Sequence, residues 1–430
     1  MKYHLIDHQL FIKNRAKFTA QMKSKSIAVF NSNDIFTTGA DSTLPFYQHR
    51  DIFYLSGVDQ EESILLLFPD AMDKKHREIL FVKETNDHIA IWEGAKLNKA
   101  QATNTSGIKT VYWLSEFNKV FFDLMTEAET IYFNTNEHYR QAIELESRED
   151  RFIKTVKDKF PAHNWAKSFP ILQSIRGVKE PQELELLQTA CTITEKGFRR
   201  ILGFVKPGVM EYEIEAEFMH EFLRNRSTGF AYTPIIGSGY NACVLHYIEN
   251  NQQCKDGDML LMDVGAEYAN YSSDMTRTIP VNGRFTDRQK AVYNAVNSVK
   301  EEATKLLVPG TIWAEYHKEV GKIMTSELLG LGLIDKADVQ NEDPNWPAYK
   351  KYFLHGTSHH MGLDTHDYGE LKKPMKANMV FTVEPGIYIP EENMGIRLED
   401  DVVIQEKGDP FNLMRNIPIL ADEIEDLMNQ

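Results

Sequence analysis

Short apolar runs alternate with polar breaks along the first part of the chain. These runs lie at residues 26–30, 53–58, 63–68, 78–82 and 130–133. Apolar runs of this length, bounded by polar and turn-forming residues, are typical of buried β-strands. Segments between these runs, such as 115–126, have the periodicity of a helix. Strands that alternate with helices predict an α/β domain.

The pattern changes after Phe169-Pro170, where long helical stretches begin. One helix is predicted to open at Lys179-Glu180-Pro181, because proline suits the first helical position and acidic residues suit a helix N-terminus. Another is predicted to start at Thr286-Asp287-Arg288-Gln289, which reads as a capping box. We therefore predict two domains, an α/β domain over residues 1–172 and an α+β domain over residues 173–430.

The second part of the chain contains a loose internal repeat. A helix followed by Val205-Lys206-Pro207-Gly208 and an acidic helix start matches a later helix followed by Leu307-Val308-Pro309-Gly310 and a second acidic start. Each copy precedes two apolar segments that contain a carboxylate. Two such units packed face to face would bring these four carboxylates to one seam, and gene duplication would explain the repeat. The simpler explanation, that Pro-Gly commonly ends helices, accounts for the pattern equally well.

Charge and cysteine content narrow the classes of function. The chain has 63 acidic and 48 basic residues, a net charge of −15, so phosphate backbones and anionic lipids are poor partners. Its three cysteines contain no Cys-x-x-Cys pair, which argues against a disulfide framework and against a thiolate zinc site. No signal peptide and no run of 18 apolar residues is present, so we expect a cytoplasmic protein without a membrane partner.

Four carboxylates occupy segments that otherwise read as buried strands. Asp263 and Asp274 flank the turn of a predicted hairpin, and Glu384 lies among β-branched and aromatic residues. A buried carboxylate costs several kcal/mol unless it meets a cation, a hydrogen-bond network or a metal. A single aspartate is more simply a cap or a turn residue, whereas a pair makes the two explanations nearly equal. Glu399 resembles Glu384, but adjacent acidic residues at 400 and 401 leave the choice of ligand open.

Histidines cluster between these carboxylate pairs. The segment 353–369 contains four of the fourteen histidines of the chain: His355, His359, His360 and His366. Beside isolated carboxylates, this density favours a metal or acid-base site over scattered core histidines. Carboxylate oxygens with one imidazole suit two divalent ions such as manganese, cobalt, iron or zinc. Two such ions share a bridging water and lower its pKa, so the predicted reaction is metal-assisted hydrolysis.

Five motifs in order resemble the proline-specific metallopeptidases of the pita-bread fold. They are GSGYNACVLHYIEN, the block from Asp263 to Asp274, HGTSHHMGLDTHD, VEPGIYI and GIRLEDD. Their order and spacing are most similar to the Xaa-Pro aminopeptidase (aminopeptidase P) family, with prolidase next. The first domain is similar more weakly, through residues 39–57 and 91–94. The resemblance implies an N-terminal α/β domain followed by a pita-bread catalytic domain.

The resemblance implies a set of site residues. Five residues match the family's metal ligands, with the second and fifth bridging the two ions: Asp263, Asp274, His359, Glu384 and Glu399. The matches to catalytic and substrate-contacting residues of the second domain are His246, His355, His366, Tyr388 and Arg397. Asp41 and Trp92 match first-domain residues that approach the substrate from a neighbouring subunit in oligomeric members. For His360, where relatives often have an aromatic or apolar residue, we expect a role in packing or in supporting a ligand, and not a sixth metal ligand.

The resemblance also implies an activity, an ion and an assembly. The expected activity is release of the N-terminal residue from peptides with proline at the second position, through two divalent ions, usually Mn²⁺, and a bridging hydroxide. A homodimer or homotetramer is expected. The alternatives are a prolidase restricted to dipeptides and a non-catalytic peptide-binding protein of the same fold, which would lack metal ligands.

Overall fold

A computed structural model describes residues 2–135, 137–138, 140 and 144–430. The chain divides into two compact units, Tyr3–Ile175 and Arg176–Gln430. The division lies within the helix Phe169–Arg176, slightly beyond the domain boundary predicted at residue 172. This helix continues across residue 172, so its backbone hydrogen bonds give no local signal for a domain boundary there.

The first unit is built on a six-stranded mixed sheet in the order β6-β5-β4-β1-β7-β8. The strands of this unit, including the separate hairpin β2-β3, are β1 (Ser26–Asn31), β2 (Thr37–Gly39), β3 (Ser42–Thr43), β4 (Ile64–Leu67), β5 (Glu78–Val82), β6 (Thr110–Trp113), β7 (Thr130–Phe133) and β8 (Asn164–Lys167). Strand β1 is fully buried and pairs antiparallel with β4 and parallel with β7. A mixed sheet with helices between its strands confirms the predicted α/β class.

Helices connect and cover these strands. They are α1 (Gln9–Thr19), α2 (Arg50–Ser56), α3 (Asp87–Glu93), α4 (Lys99–Ser106), α5 (Phe117–Met125), α6 (Arg148–Lys159) and α7 (Phe169–Arg176). The prediction of a strand at 53–58 is wrong, because most of that run lies in α2. Every residue of α2 from Asp51 onward is buried, so the helix shows no polar face and its apolar run looks like a strand. It ends at Gly57, whose φ of 69° favours glycine.

The second unit repeats a helix pair. Its helices are α8 (Pro181–Leu202), α9 (Glu211–Arg224), α10 (Asp287–Lys305), α11 (Trp313–Gly330), α12 (Lys336–Gln340) and α13 (Ala421–Met428). The predicted N-termini at Pro181 and at the Thr286 capping box are both present. Helix α8 packs on α9, and α10 packs on α11. Gly208 and Gly310, with φ of 100° and 95°, follow the first helix of each pair, so the two copies share a backbone turn as well as an element order.

Small antiparallel sheets follow each helix pair. The strands are β9 (Gly229–Phe230), β10 (Ile235–Ser238), β11 (Met259–Val264), β12 (Ala266–Tyr268), β13 (Tyr271–Ser272), β14 (Met275–Pro280), β15 (Val380–Val383), β16 (Gly386–Ile389), β17 (Met394–Arg397), β18 (Asp400–Val403) and β19 (Phe411–Asn412). Strands β11 and β14 pair antiparallel, as the predicted hairpin requires. A bridge between Thr276 and Glu399 joins the strands of the two copies. None of the helices in the described ranges is long and apolar enough to span a bilayer.

Candidate functional site

Two aspartates meet at the end of the β11–β14 pair. Asp263 lies on β11, and Asp274 immediately precedes β14. The Tyr232 hydroxyl lies 2.6 Å from Asp263 Oδ1 and 2.5 Å from Asp274 Oδ1. Burial, followed by the charges of the two aspartates, raises the pKa of Tyr232, so the phenol stays protonated. Because a hydroxyl has one proton to donate, it can satisfy only one of these oxygens at a time.

Two glutamates reach the site from other strands. Glu399 lies between β17 and β18, and its N–H donates to the Thr276 carbonyl at 3.0 Å. The Thr276 hydroxyl donates in turn to Glu399 Oε2 at 2.6 Å. Glu384 directly follows β15, and its N–H donates to the Thr357 carbonyl at 2.8 Å. Backbone hydrogen bonds therefore fix the base of both glutamate side chains.

The acidic residues that compete with Glu399 have other partners. Asp400 forms salt bridges of 2.6 and 2.5 Å with two buried cations, Arg277 and Lys300. Asp401 accepts the N–H of Asp274 at 3.0 Å. Successive side chains of an extended segment alternate in direction, so three adjacent carboxylates cannot serve one site. Of the three, Glu399 is the one whose carboxylate lies with Asp274.

His359 presents one ring nitrogen to the carboxylates. Its Nδ1 lies 3.0 Å from the His360 carbonyl, which can only accept, so Nδ1 carries a proton. In the neutral imidazole the lone pair is then on Nε2, which lies 3.4 Å from Asp274 Oδ2 and 3.8 Å from Glu384 Oε1. One ligand atom each from Asp274, His359 and Glu399 lie within 4.8 Å of one another. A lone pair facing carboxylate oxygens is the arrangement that a divalent cation stabilises.

The electrostatics of these carboxylates also fit a cation. Burial, and then the charge of Asp263, raises the pKa of Asp274. Burial raises the pKa of Glu384 to about 7, and burial with the charge of Asp274 raises that of Glu399. Crowded carboxylates cannot all ionise at neutral pH without a compensating positive charge. Four oxygen ligands with one imidazole match the preferences of divalent ions such as manganese.

A chain of hydrogen bonds leads from His355 to the aspartates. His355 Nδ1 donates to the Gly356 carbonyl at 2.8 Å, which leaves Nε2 to accept from the Tyr388 hydroxyl at 2.7 Å. Arg397 donates to Tyr388 at 2.8 Å and to Asp263 Oδ2 at 2.5 Å. Burial and the Arg397 charge lower the pKa of His355 to about 3, so its imidazole is neutral at physiological pH. These residues hold Asp263 in a fixed orientation.

Two further predicted histidines lie near this centre. The ring of His366 is 3.7 Å from the ring of His359 between centroids. His246 is exposed in the loop after β10, and its charge contributes to the lowered pKa of His355. His366 therefore lies beside a predicted ligand, and His246 lies within electrostatic reach of His355.

His360 packs in the interior instead of facing the carboxylates. It is buried, its ring lies 4.3 Å from that of Phe381, and its carbonyl accepts the N–H of Asp367 at 2.9 Å. Burial lowers the pKa of His360 to about 3, so it is neutral at physiological pH. The ring therefore packs, and the carbonyl accepts from His359 Nδ1, so the position of His360 agrees with both roles considered from the sequence.

The two first-domain residues lie on the surface of the first unit. Asp41 is exposed in the turn between β2 and β3. Trp92 lies on α3 with 80 % of its surface exposed, next to the exposed Ile91. Their predicted part in substrate access stays a prediction.

Sequence reasoning missed two hydroxyls of the site. Tyr232 contacts both aspartates although it lies 31 and 42 residues before them, and Thr276 contacts both Glu399 and Arg397. Thr276 could have been found, because it is the direct partner of Asp263 in the register of the hairpin. Nothing in the spacing of Tyr232 distinguishes it from the other tyrosines of the chain.

Comparison with known proteins decides the family. Residues 185–406 match the model of metallopeptidase family M24, more than half of the chain. The chain belongs to metallopeptidase family M24. Residues 11–132 match the aminopeptidase P N-terminal domain, so this M24 member is of the aminopeptidase P kind. Its second unit therefore has the pita-bread fold, and the residues assembled around Asp274 belong to a metallopeptidase that uses divalent metal ions.

Curated relatives resemble this M24 member along its whole length. The Xaa-Pro aminopeptidase of Escherichia coli is 34 % identical, with 98 % of each chain covered. That of Haemophilus influenzae is 32 % identical, with 97 % of each covered. Human Xaa-Pro aminopeptidase 3 is 29 % identical over all of this chain and 86 % of its own.

Solved structures of aminopeptidases also resemble this chain along its whole length. A zinc-substituted Escherichia coli aminopeptidase P in complex with product matches with a TM-score of 0.88 at 32 % identity, covering 99 % of both chains. The Pseudomonas aeruginosa aminopeptidase PepP matches with a TM-score of 0.89 at 28 % identity, covering 99 % of this chain and 98 % of its own.

Proposed function

We propose that this M24 metallopeptidase releases the N-terminal residue from peptides that have proline at the second position. The observation that carries the proposal is the cluster of Asp274, His359 and Glu399 ligand atoms within 4.8 Å. It lies in a chain whose relatives, covered almost completely, are Xaa-Pro aminopeptidases. An Xaa-Pro bond is a tertiary amide without an N–H, so a peptidase must recognise it by means other than backbone hydrogen bonding at that position.

Two divalent ions, manganese first among them, are the proposed cofactor. The proposed ligands are Asp263, Asp274, His359, Glu384 and Glu399, with Asp274 and Glu399 shared between the ions. When bound, such ions polarise a carbonyl and supply hydroxide at neutral pH. The hard, oxygen-rich ligand set supports manganese, while cobalt, zinc and iron also suit it.

The remaining residues act on the substrate. His246 and His366 hydrogen-bond the carbonyl oxygen as it gains negative charge, and one of them delivers a proton to the proline nitrogen as the bond breaks. The neutral His355 lines the pocket for the proline ring. Tyr388 and Arg397 link it to Asp263 through contacts of 2.7, 2.8 and 2.5 Å, which hold the carboxylate still.

A homodimer or homotetramer is the proposed assembly. Asp41 and Trp92 would then help to form the substrate entrance of a neighbouring copy, and the exposure of Trp92 and Ile91 supports this role. A cytoplasmic location is proposed as well, because the three cysteines are free.

Hydrolysis of matched peptides tests the function. The protein is incubated with Mn²⁺ or with a chelator, on Xaa-Pro dipeptides and on longer Xaa-Pro-Yaa peptides. We expect metal-dependent release of the first residue from the longer peptides. Cleavage of dipeptides alone would indicate a prolidase, and cleavage of neither would indicate a binding protein.

The Asp263→Ala variant is the control for the metal site. It removes a proposed ligand and the partner of Arg397, so turnover should fall to background in a protein that still folds. Undiminished, metal-independent turnover by this variant would contradict the proposal.

A further inference from the structure

A surface loop carries His246 to the site. We define the His246 loop as residues 239–252, between β10 and the return of the chain toward β11. Tyr247, next to His246, packs in a buried cluster that also includes Tyr388 of the hydrogen-bond chain. Because His246 itself is exposed, its position depends on how the rest of the loop is held.

One buried carboxylate holds both ends of this loop. Glu211, the first residue of α9, has 0 % of its surface exposed. Its Oε1 accepts the N–H of Ser238, just before the loop, at 2.8 Å. Its Oε2 accepts the N–H of Gln252, at the loop's end, at 2.9 Å and the Tyr247 hydroxyl at 2.8 Å. The Glu211 N–H also donates to the Gln252 carbonyl at 3.0 Å.

The groups that donate to Glu211 are all neutral. Burying its carboxylate therefore costs free energy unless every one of these hydrogen bonds is formed. A buried carboxylate loses the hydration of its charge, and hydrogen bonds must replace it. The donors come from four separate points of the chain, Ser238, Asn241, Tyr247 and Gln252, so the carboxylate is satisfied only while the loop keeps one geometry. The same contacts that solvate Glu211 therefore restrict where Tyr247, and His246 beside it, can lie.

We propose that Glu211 is a positioning residue for catalysis, and that it acts through His246 by fixing the His246 loop. The proposal rests on the proposed function in that His246 contacts the substrate. The hydrogen bonds that the Glu211 carboxylate accepts come from Ser238 and from the loop, and none of these donors is a proposed metal ligand. Its effect should fall on turnover of the Xaa-Pro bond and leave metal affinity unchanged.

The Glu211→Gln variant is the direct test. A glutamine has the same shape but one acceptor oxygen, so its amide group must face the N–H of either Ser238 or Gln252 and lose that bond. Glu217→Gln is the matched control, since it makes the same change on the same helix at a carboxylate that pairs with Arg200 on the surface.

A double-mutant cycle with His246→Ala separates positioning from general destabilisation. We expect Glu211→Gln to lower kcat about 10- to 100-fold with His246 present, as misplacing a catalytic group does, and to change it little with His246 already removed. Glu217→Gln should match the parent in both backgrounds. Equal losses in both backgrounds, or a Glu211→Gln variant as active as its control, would overturn the proposal.

Hydrogen exchange provides a readout that does not need activity. In Glu211→Gln, amides of the His246 loop should exchange faster than in the parent, and unchanged exchange would overturn the proposal. If that variant does not fold, Tyr247→Phe removes one of the donors and should show the same coupling to His246 with a smaller loss; additive effects there would overturn it too. Failure of the parent protein to cleave any Xaa-Pro peptide would instead contradict the proposed function, and loop exchange would still test the anchoring.

Discussion

At the scale of single residues, the site depends on neutral hydroxyls as much as on charges. Tyr232 bridges Asp263 and Asp274, and Thr276 bridges Glu399 and Arg397. Each hydroxyl donates to an oxygen of a proposed ligand without adding charge. Such partners orient ligands and tune their affinity, so removing one should change metal binding before it changes the fold.

Tyr232→Phe tests this view. The variant keeps the buried ring but removes the donor shared by the two aspartates, so we expect kcat/KM and Mn²⁺ affinity to fall about 10- to 100-fold. Steady-state kinetics and metal titration measure the two effects. Tyr212→Phe, at an exposed tyrosine on α9, should behave like the parent. Wild-type metal affinity in the Tyr232→Phe variant would show that the hydroxyl does not support the site.

At the scale of elements, the carboxylates are placed by close approaches between strands. Gly265 lies between β11 and β12, where an added Cβ would be 1.7 Å from the backbone oxygen of Ser273. That contact lies between the two aspartates in sequence, so it sets how close they come. The segment 362–368, which contains His366, is held by salt bridges instead. Asp367 pairs with Arg176 at 2.5 Å and with Lys179 at 2.6 Å.

Gly265→Ala should distort the hairpin. A methyl group there meets backbone and not a movable side chain, so we expect a loss of about 3 kcal/mol or more in stability. Weaker Mn²⁺ binding should accompany this loss. Gly330→Ala, at a helical position with nothing within 4 Å, should be neutral or slightly stabilising. Urea unfolding compares the two, and equal midpoints would contradict the prediction.

Asp367→Asn should weaken the protein in a pH-dependent way. Burial alone would raise the pKa of Asp367, but the charges of Arg176 and Lys179 outweigh it and lower the pKa to about 2. Because this is below the ordinary value of 3.8, the ionised group stabilises the fold above about pH 4, and that stability is lost as pH falls toward 2.

The variant should therefore lose about 3–5 kcal/mol at pH 7, since two buried cations lose their partner. Unfolding midpoints at pH 7 and pH 3 measure the change, and the gap from the parent should narrow at pH 3. Asp364→Asn, which removes only a partly exposed partner of Arg176, should cost less. A gap that is the same at both pH values would contradict the assignment.

At the scale of the whole molecule, metal binding and stability should be linked through the crowded carboxylates. Burial raises the pKa of Glu384 to about 7, above the ordinary 4.5. In the metal-free protein the folded state therefore binds more protons than the unfolded state between these values. That contribution to stability is complete below about pH 4.5 and is lost as pH rises through 7.

Mn²⁺ should consequently stabilise the protein more at pH 8 than at pH 5.5. At the higher pH the ions neutralise ionised carboxylates, whereas at the lower pH they must displace protons. We expect a rise in Tm of about 5 °C or more at pH 8 with saturating metal. Thermal unfolding with chelator and with Mn²⁺ at both pH values measures it. The Glu217→Gln variant should show the same difference in Tm shift between the two pH values as the parent. Equal Tm shifts at pH 8 and pH 5.5 would refute the link between metal binding and carboxylate ionisation.

Local chemistry made several features predictable from sequence. The helix N-termini at Pro181 and Thr286 are predictable because nearby residues in the sequence cap the free backbone N–H groups of the first turn. The β11–β14 hairpin is predictable from its alternating apolar residues. The run at 53–58 has the pattern of a strand although most of it is helical, because a helix buried on all sides has no polar face.

The division into two domains, the carboxylates and histidines available for a metal, and the family likeness that orders them can all be read from the order of residues. Spacing left Glu399 open among three adjacent acids, and only tertiary structure shows the physical difference, because Arg277 and Lys300 neutralise Asp400. It also brought Tyr232 to the aspartates and Glu211 to both ends of the His246 loop. Hydrogen bonds between distant segments leave no periodicity in the sequence, so only the packed chain decides which buried polar groups meet.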